Sequence, residues 1–323
     1  MQTERSSNHH RGIRDGRKGR DTATLWGSFR AATVRERSLT VAALNEGYTG
    51  LRGAAAASSM AACATETPKI TPPIAIISDI HSNLEALQTV LGDIDQRQIE
   101  NIVCLGDIVG YGPNPRECLD LVIERCKWAL MGNHDYAVLY EPTNFNAGAE
   151  AAAFWTRRVF ETEPDPELRR RRWQFLGAMP IRQTFGESFL CVHGSPRRPV
   201  NEYIFADDVT TAPTKMAQLF DRVTRCCFVG HTHVQGVFTN EPDFYSTGEL
   251  GPAYVFNDYE KVIINVGSVG QPRDRDPRAG YAVLYDDRVE FYRLDYDIPA
   301  VVAKVEAIPE LNDFFGQRLL EGR

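Results

Sequence analysis

The sequence predicts an α/β fold, and three observations carry that prediction. The run Ile74-Ala75-Ile76-Ile77-Ser78 has the length and apolar content of a buried strand. A stretch with Leu84, Leu87, Leu91 and Ile94 on one helical face follows it. The pattern then repeats as strand, helix, strand through residue 131, which is the signature of βαβ units on a largely parallel sheet.

Each element has a local reason. Ser82 and Glu85 stand at capping-box spacing and predict the start of the first helix. Ile102 to Leu105 is the second strand. Asn114-Pro115 opens the second helix, with Asn as cap and Pro at the first helical position. Trp128 to Met131 is the third strand. The alternation breaks over residues 140–180, where Ala147–Phe160 and Glu167–Gly177 read as two helices of an insert, separated by Glu163-Pro164-Asp165-Pro166. Strands follow at Phe189–Val192, Cys226–Val229, Gly236–Thr239, Lys261–Asn265, Tyr281–Tyr285 and Val289–Leu294, the last two joined across Asp286-Asp287 as a hairpin. Residues 71–297 make one domain carrying the insert, and residues 298–323 form a helical tail.

Residues 1–70 differ from the rest. They hold 11 Lys+Arg against 6 Asp+Glu, while residues 71–323 hold 25 against 37. Arg-rich polar sequence and the small-residue stretch Gly53–Ala64 predict a disordered extension, read either as a transit peptide or as sequence upstream of a start at Met60. His9 and His10 in it carry no predicted role. The acidic body argues against broad nucleic-acid binding, which relies on Lys and Arg to neutralise phosphates. No apolar run approaches the roughly 20 residues of a membrane helix. Seven cysteines lack framework spacing, and Cys104, Cys191, Cys226 and Cys227 fall in strand-like runs, so they read as reduced core residues and favour a cytoplasmic location.

The five histidines of the body all lie in motifs: Asp79-Ile80-His81, Gly132-Asn133-His134-Asp135, Val192-His193-Gly194 and Gly230-His231-Thr232-His233; Leu105-Gly106-Asp107 adds a carboxylate. Each motif follows an apolar run. In an extended chain residues i and i+2 point the same way, so Asp79 and His81 are expected to reach one metal, and His231 and His233 to share a side. Ligands at the carboxyl ends of several strands converge on one crevice. The donor set mixes carboxylate, amide oxygen and imidazole without thiolate, which suits Mn²⁺, Fe or Zn²⁺, with Mg²⁺ a poorer match. Two such ions roughly 3.5–4 Å apart can clamp an in-line phosphoryl displacement and lower the pKa of a bound water.

Taken in order, these five segments resemble the calcineurin-like metallophosphoesterase superfamily, over about residues 74–296. The resemblance implies two mixed sheets packed face to face with helices outside, a four-layer α-β-β-α sandwich. It implies Asp79, His81 and His233 as ligands of one metal, Asn133, His193 and His231 as ligands of a second, and Asp107 bridging both, with Mn the preferred metal. It further implies His134 as the group that contacts the phosphate and protonates the leaving oxygen, with Asp135 orienting His134 through its other ring nitrogen. The implied reaction is hydrolysis of phosphate esters by attack of a metal-bound hydroxide on phosphorus. Gly106-Asp107 continues into Ile108-Val109-Gly110-Tyr111-Gly112 rather than the Asp-Arg-Gly segment of the phosphoprotein phosphatases, so the chain is closer to a compact prokaryotic phosphoesterase group, whose core also closes near a Gly-Ser-Val-Gly-Gln-Pro segment, here Gly267–Pro272.

Gly267 and Ser268 could cradle a substrate phosphate with their backbone N–H groups, or form an ordinary tight turn. Arg273 is expected to pair with the phosphate, while the Arg169–Arg172 run reads as a solvated helix face. Phe154, Trp155 and Phe160 pack the insert on the body, or line a cap or the interface of a homo-oligomer. The expected substrate is a small-molecule phosphate mono- or diester. Two rival readings remain: a nuclease of the same superfamily, and a catalytically idle metal-binding scaffold for protein partners.

Overall fold

The computed structural model describes residues 71–323 apart from 187 and 258. The expectations placed on residues 1–70, and on His9 and His10, lie outside the described residues.

β1 (Ile74–Ile77) is buried throughout. Ile74 and Ile76 face one apolar cluster, Ala75 and Ile77 another, which is the alternation of a strand covered on both sides. α1 (Leu84–Gln96) buries Leu87, Leu91 and Ile94 as the spacing predicts. Its cap is Asn83 rather than Ser82: the Asn83 Oδ1 accepts from the Ala86 N–H at 3.1 Å. Ser82 still belongs to a left-handed turn, with φ 55°, so the helix starts one residue later than the capping-box spacing implied. β2 (Asn101–Cys104), α2 (Pro115–Arg125) and the two-residue β3 (Trp128–Ala129) complete the repeat, and β1–β2 and β2–β3 pair in parallel.

α3 (Asn133–Leu139), α4 (Ala147–Glu161) and α5 (Pro166–Ala178) cover the outer face of this sheet through Val138, Ala153, Phe160 and Leu176. The Arg169–Arg172 run is not wholly a solvated face. The Arg172 side chain is only 4% exposed and pairs with Asp120 of α2 at 2.6 Å and with Glu163 at 2.6 Å. One guanidinium thereby ties the insert to the βαβ repeat through two carboxylates.

The second half supplies β4 (Arg182–Phe185), β5 (Phe189–Val192), α6 (Asp208–Thr211), α7 (Pro213–Phe220), β6 (Cys226–Val229), β7 (Gly236–Thr239), β8 (Asp243–Ser246), α8 (Thr247–Leu250), β9 (Ala253–Val255), β10 (Val262–Asn265), β11 (Ala279–Leu284), β12 (Arg288–Leu294), α9 (Ile298–Glu306) and α10 (Phe314–Gln317). Two six-stranded mixed sheets result, ordered β3-β2-β1-β11-β12-β9 and β4-β5-β6-β10-β7-β8. Ile76, Leu105, Phe228, Ile264 and Leu284 fill the space between them. α1, α2 and the insert lie outside the first sheet; α7 packs outside the second through Met216 and Leu219, against Val229 and Ile263. This is the four-layer sandwich. Cys226 and Cys227 fall in different apolar clusters, and the six cysteines of the described region are free. No helix among the described residues is long and apolar enough to cross a membrane.

Candidate metal centre

The strands end just before the site. β1 stops at Ile77, β2 at Cys104 and β6 at Val229, and the backbone then turns left-handed: φ is 53° at Asp79, 49° at His81, 51° at Asp107, 66° at His231 and 63° at His233. The expected extended i, i+2 geometry is therefore absent. A non-glycine residue held at positive φ costs about 1–3 kcal/mol, and five of them at one rim mark a site whose surroundings over-determine it. Cross-links between turns supply that constraint. The Asp79 N–H donates to Gly106 O at 3.0 Å, the His81 N–H to Asp107 O at 3.0 Å, and the His231 N–H to Asp79 Oδ2 at 2.9 Å. Gly132 is required by closeness: a Cβ there would stand 2.1 Å from Asp107 Oδ1.

Two groups of buried donors result, Asp79–His81–His233 and Asp107–His193–His231. Asp79 and His81 do join one group, but His231 and His233 separate into different ones, because the left-handed turns rotate them apart. Asp107 reaches both: its Oδ2 lies 3.3 Å from His193 Nε2 and 3.7 Å from His81 Nε2. Asn133 Oδ1 lies 3.2 Å from His193 Nε2.

The ring tautomers follow from the backbone. His81 Nδ1 faces Val109 O at 3.3 Å, and His233 Nδ1 faces Gln271 O at 2.5 Å. A carbonyl only accepts, so both Nδ1 atoms carry the proton and both Nε2 atoms present lone pairs. Those lone pairs are 3.1 Å apart, and Asp79 Oδ1, buried without a partner, lies 3.2 Å from His233 Nε2. Three acceptors thus converge with no donor among them. His193 Nδ1 likewise faces Leu105 O at 3.1 Å, leaving its Nε2 to meet the Asp107 and Asn133 oxygens and, at 3.1 Å, His231 Nδ1. Such a donor set fits two divalent cations.

Burial is the first cause of the shifts at these groups. It pushes His81 well below the usual imidazole range, His231 down to about 3 and His134 to about 4, and it lowers His233, assisted by the Arg273 charge. His193 is the exception: burial acts against its charge, but the Asp107 carboxylate prevails and raises it to about 9. Burial would raise Asp79 and Asp107, yet the surrounding histidines hold both below the ordinary carboxylate range.

His134 sits at the head of α3, grouped with His81 and Asp107. Its backbone N–H donates to Asp107 Oδ1 at 2.8 Å. Asp135 does not touch the His134 ring, contrary to expectation: successive helical residues point about 100° apart. Its Oδ1 accepts from the Ile108 N–H at 3.0 Å and its Oδ2 from the Gly132 N–H at 3.0 Å, so it braces the turn that carries Asp107. Burial, with Asp107 nearby, raises Asp135 to about 7. The His134 Nδ1 has no hydrogen-bond partner among the described residues, and packing orients the ring: Tyr111 at 4.3 Å, Phe145 of the insert at 4.7 Å and His81 edge-on at 4.8 Å.

The Gly267–Gly270 turn is not open for a phosphate. The Gly267 N–H donates to Asn265 Oδ1, the Val269 N–H to Ser78 O and the Gly270 N–H to Asp79 O, while the Ser268 hydroxyl donates to Asp79 O at 2.7 Å. Ser268, Val269 and Gly270 thus clasp the Asp79 turn, while Gly267 bonds back to Asn265. Arg273 lies beside the site: its backbone N–H donates to His233 O at 3.2 Å, one side-chain nitrogen donates to Gln271 Oε1 at 2.8 Å, and its Nε is buried with no hydrogen-bond partner among the described residues. Sequence reasoning missed Tyr111 and Tyr203. Tyr203 stacks on His231 at 3.8 Å, 39% exposed. The only signal for Tyr111 was its place between two glycines just after Asp107.

The model of the calcineurin-like phosphoesterase family matches residues 72–235. An uncharacterised protein of Methanocaldococcus jannaschii is 38% identical over 258 residues, 77% of this chain and 98% of that one. A metallophosphoesterase structure from Sphaerobacter thermophilus superposes with a TM-score of 0.64 at 36% identity, covering 77% of this chain and 99% of its own. A hypothetical protein of Pyrococcus horikoshii shares the fold at 18% identity, with a TM-score of 0.60 over 78% of this chain and 98% of its own. The chain belongs to the calcineurin-like phosphoesterase family.

Proposed function

We propose that the protein hydrolyses phosphate esters of small molecules at a pair of divalent metal ions. The observation that supports this most is the convergence of Asp79 Oδ1, His81 Nε2 and His233 Nε2, three buried acceptors with no donor between them. Asp79, His81, Asp107 and His233 would hold one ion, and Asp107, Asn133, His193 and His231 the other. Mn²⁺ suits the donors best, then Fe or Zn²⁺, with Mg²⁺ last. Bound there, the ions would supply Lewis acidity and a nucleophile at neutral pH.

The chain's own residues do the rest. His134 is placed to hand a proton to the leaving oxygen, and its aromatic neighbours hold the ring still. Asp135 keeps the Asp107 turn rigid. Arg273 offers an unpartnered Nε to a non-bridging phosphate oxygen. Tyr111, Phe145 and Tyr203 exclude water around the rings. Both monoesters and diesters fit this reading.

The test is His134→Ala. The variant should bind the same number of metal ions and lose about 10²- to 10⁴-fold in kcat on p-nitrophenyl phosphate or its bis-ester. Turnover equal to wild type would remove His134 from the mechanism.

A further inference from the structure

The loop between β5 and α6 carries a row of rings away from the metal centre. The Tyr203 ring stacks on the His231 imidazole at 3.8 Å, and the Phe205 ring stacks on Tyr203 at 5.3 Å, with interplanar angles of 17° and 9°. Ile204 between them is buried in the apolar cluster outside the second sheet. Phe205 also lines a cavity of about 330 Å³, whose walls include Thr232, Val234, Phe238 of β7, Phe244 of β8 and Asp207. Thr232 stands between His231 and His233 in the chain, so the cavity borders the turn that presents both histidines.

The rings of this row are uncovered but held. Tyr203 is 39% exposed and Phe205 51%. The backbone beneath them is fixed: the Phe205 N–H donates to Asp208 Oδ2 at 2.7 Å, and Lys215 of α7 donates to the same oxygen at 2.5 Å and to Tyr203 O at 2.8 Å. Rings already held in place lose little further freedom when a ligand packs on them. The lining also selects among ligands. The Thr232 hydroxyl accepts from the Asn265 side-chain N–H at 2.7 Å, and Asp207 is the one charged residue of the lining. A carboxylate there repels an anion, while aromatic and aliphatic walls suit an uncharged ring. A cavity of roughly 150 Å³ lined by Leu, Ile and Phe is enough to take up benzene, so this one has room for one ring and its linker.

We infer that this cavity binds an uncharged aromatic ring on an alcohol part of the substrate, reached from the phosphate end past Tyr203 and Phe205. Resting on the phosphoesterase reading of the adjoining centre, this narrows the substrate class to phosphate esters whose alcohol carries such a ring.

The experiment uses the full chain loaded with Mn²⁺ and esters of unactivated alcohols: ethyl, 2-phenylethyl and 4-phenylbutyl phosphate with the two cyclohexyl counterparts, each as monoester and as methyl diester. Turnover gives kcat/KM. The matching phosphonates, which are not hydrolysed, give affinity by isothermal titration. The better of the two phenyl compounds should exceed the ethyl compound about ten- to a hundredfold, the worth of burying a phenyl ring, and its cyclohexyl counterpart about two- to tenfold. Phe205→Ala should cut the phenyl preference about two- to tenfold, and Phe205→Tyr should keep it. Ala206→Trp should fill the cavity and abolish the preference, whereas Tyr259→Ala, at an exposed ring that does not line it, should leave it intact. No phenyl preference in the wild type, a cyclohexyl compound that matches the phenyl one, or a preference that survives both Phe205→Ala and Ala206→Trp would overturn the inference. If no ester turns over but the phosphonates show the preference and its loss in Ala206→Trp, the ring site stands and the hydrolytic reading fails. If the esters turn over without preference, the hydrolytic reading stands and the ring site fails.

Discussion

Gly110→Ala tests whether the position of His134, and not only its presence, controls turnover. Gly110 sits at φ 96°, and a Cβ built there stands 2.4 Å from His134 Nδ1, 3.0 Å from Cγ and 3.1 Å from Cβ. Ordinary contact begins at 3.4 Å, so the imidazole must retreat by about 1 Å. It cannot retreat freely, because Tyr111, Phe145 and His81 pack around it. A misplacement of about 1 Å at a reacting group can cost about 10²-fold in rate. The positive φ adds about 1–3 kcal/mol of destabilisation. None of the proposed metal ligands is altered, so metal stoichiometry should be that of wild type. The assay is kcat on p-nitrophenyl phosphate beside metal content and thermal melting on the same preparation. A folded variant with two metals and kcat within twofold of wild type would refute the reasoning, since then the ring neither needs this position nor is held in it.

Other consequences follow from the same structure. Removing the metals with chelator leaves the lone pairs of His81 and His233 facing each other; at a hundredfold excess over Kd each ion contributes about 2.7 kcal/mol, so chelation should lower Tm by about 5–10 °C per ion, read by calorimetry. Tyr203→Ala removes the ring stacked on His231 and should weaken metal binding by about two- to tenfold, the equivalent of one aromatic contact, measured by competitive chelator titration. Arg172→Ala breaks the link between α5 and α2 and should lower Tm while affecting kcat little; a kcat loss without a Tm change would contradict that structural role. Ile264→Ala opens a cavity between the sheets and should destabilise by about 2–5 kcal/mol in urea unfolding, with metal content preserved in the folded fraction.

Much of this was legible because the relevant signals are local. Ile74–Ile77 and Cys226–Val229 are short apolar runs that can only be buried strands, and the donors follow them directly. The helix over Leu84–Gln96 declared its face by spacing. What was illegible depends on tertiary context. Asp243–Ser246 and Ala253–Val255 lie at the sheet edges, half-exposed, and carry no apolar alternation to betray them. Arg182–Phe185 buries only Phe185. The left-handed turns at the ligands look extended from sequence, since Asp and His tolerate positive φ but do not require it. The resemblance implies that Asp135 orients His134, yet neighbours along a helix point apart, and the Asp135 oxygens find backbone N–H groups instead. The Gly267–Gly270 segment fits an anion cradle or a tight turn by sequence alone, and only the fold engages the Gly267, Val269 and Gly270 N–H groups within the protein.

The most direct test of the account is a Mn²⁺ titration of the chelator-stripped full chain, followed by hydrolysis of p-nitrophenyl phosphate and bis-(p-nitrophenyl) phosphate. The account predicts no turnover of either ester without metal, and turnover that rises with added Mn²⁺ and saturates when two ions are bound per chain. Turnover that survives stripping, or its absence on these esters with two ions bound, would contradict it.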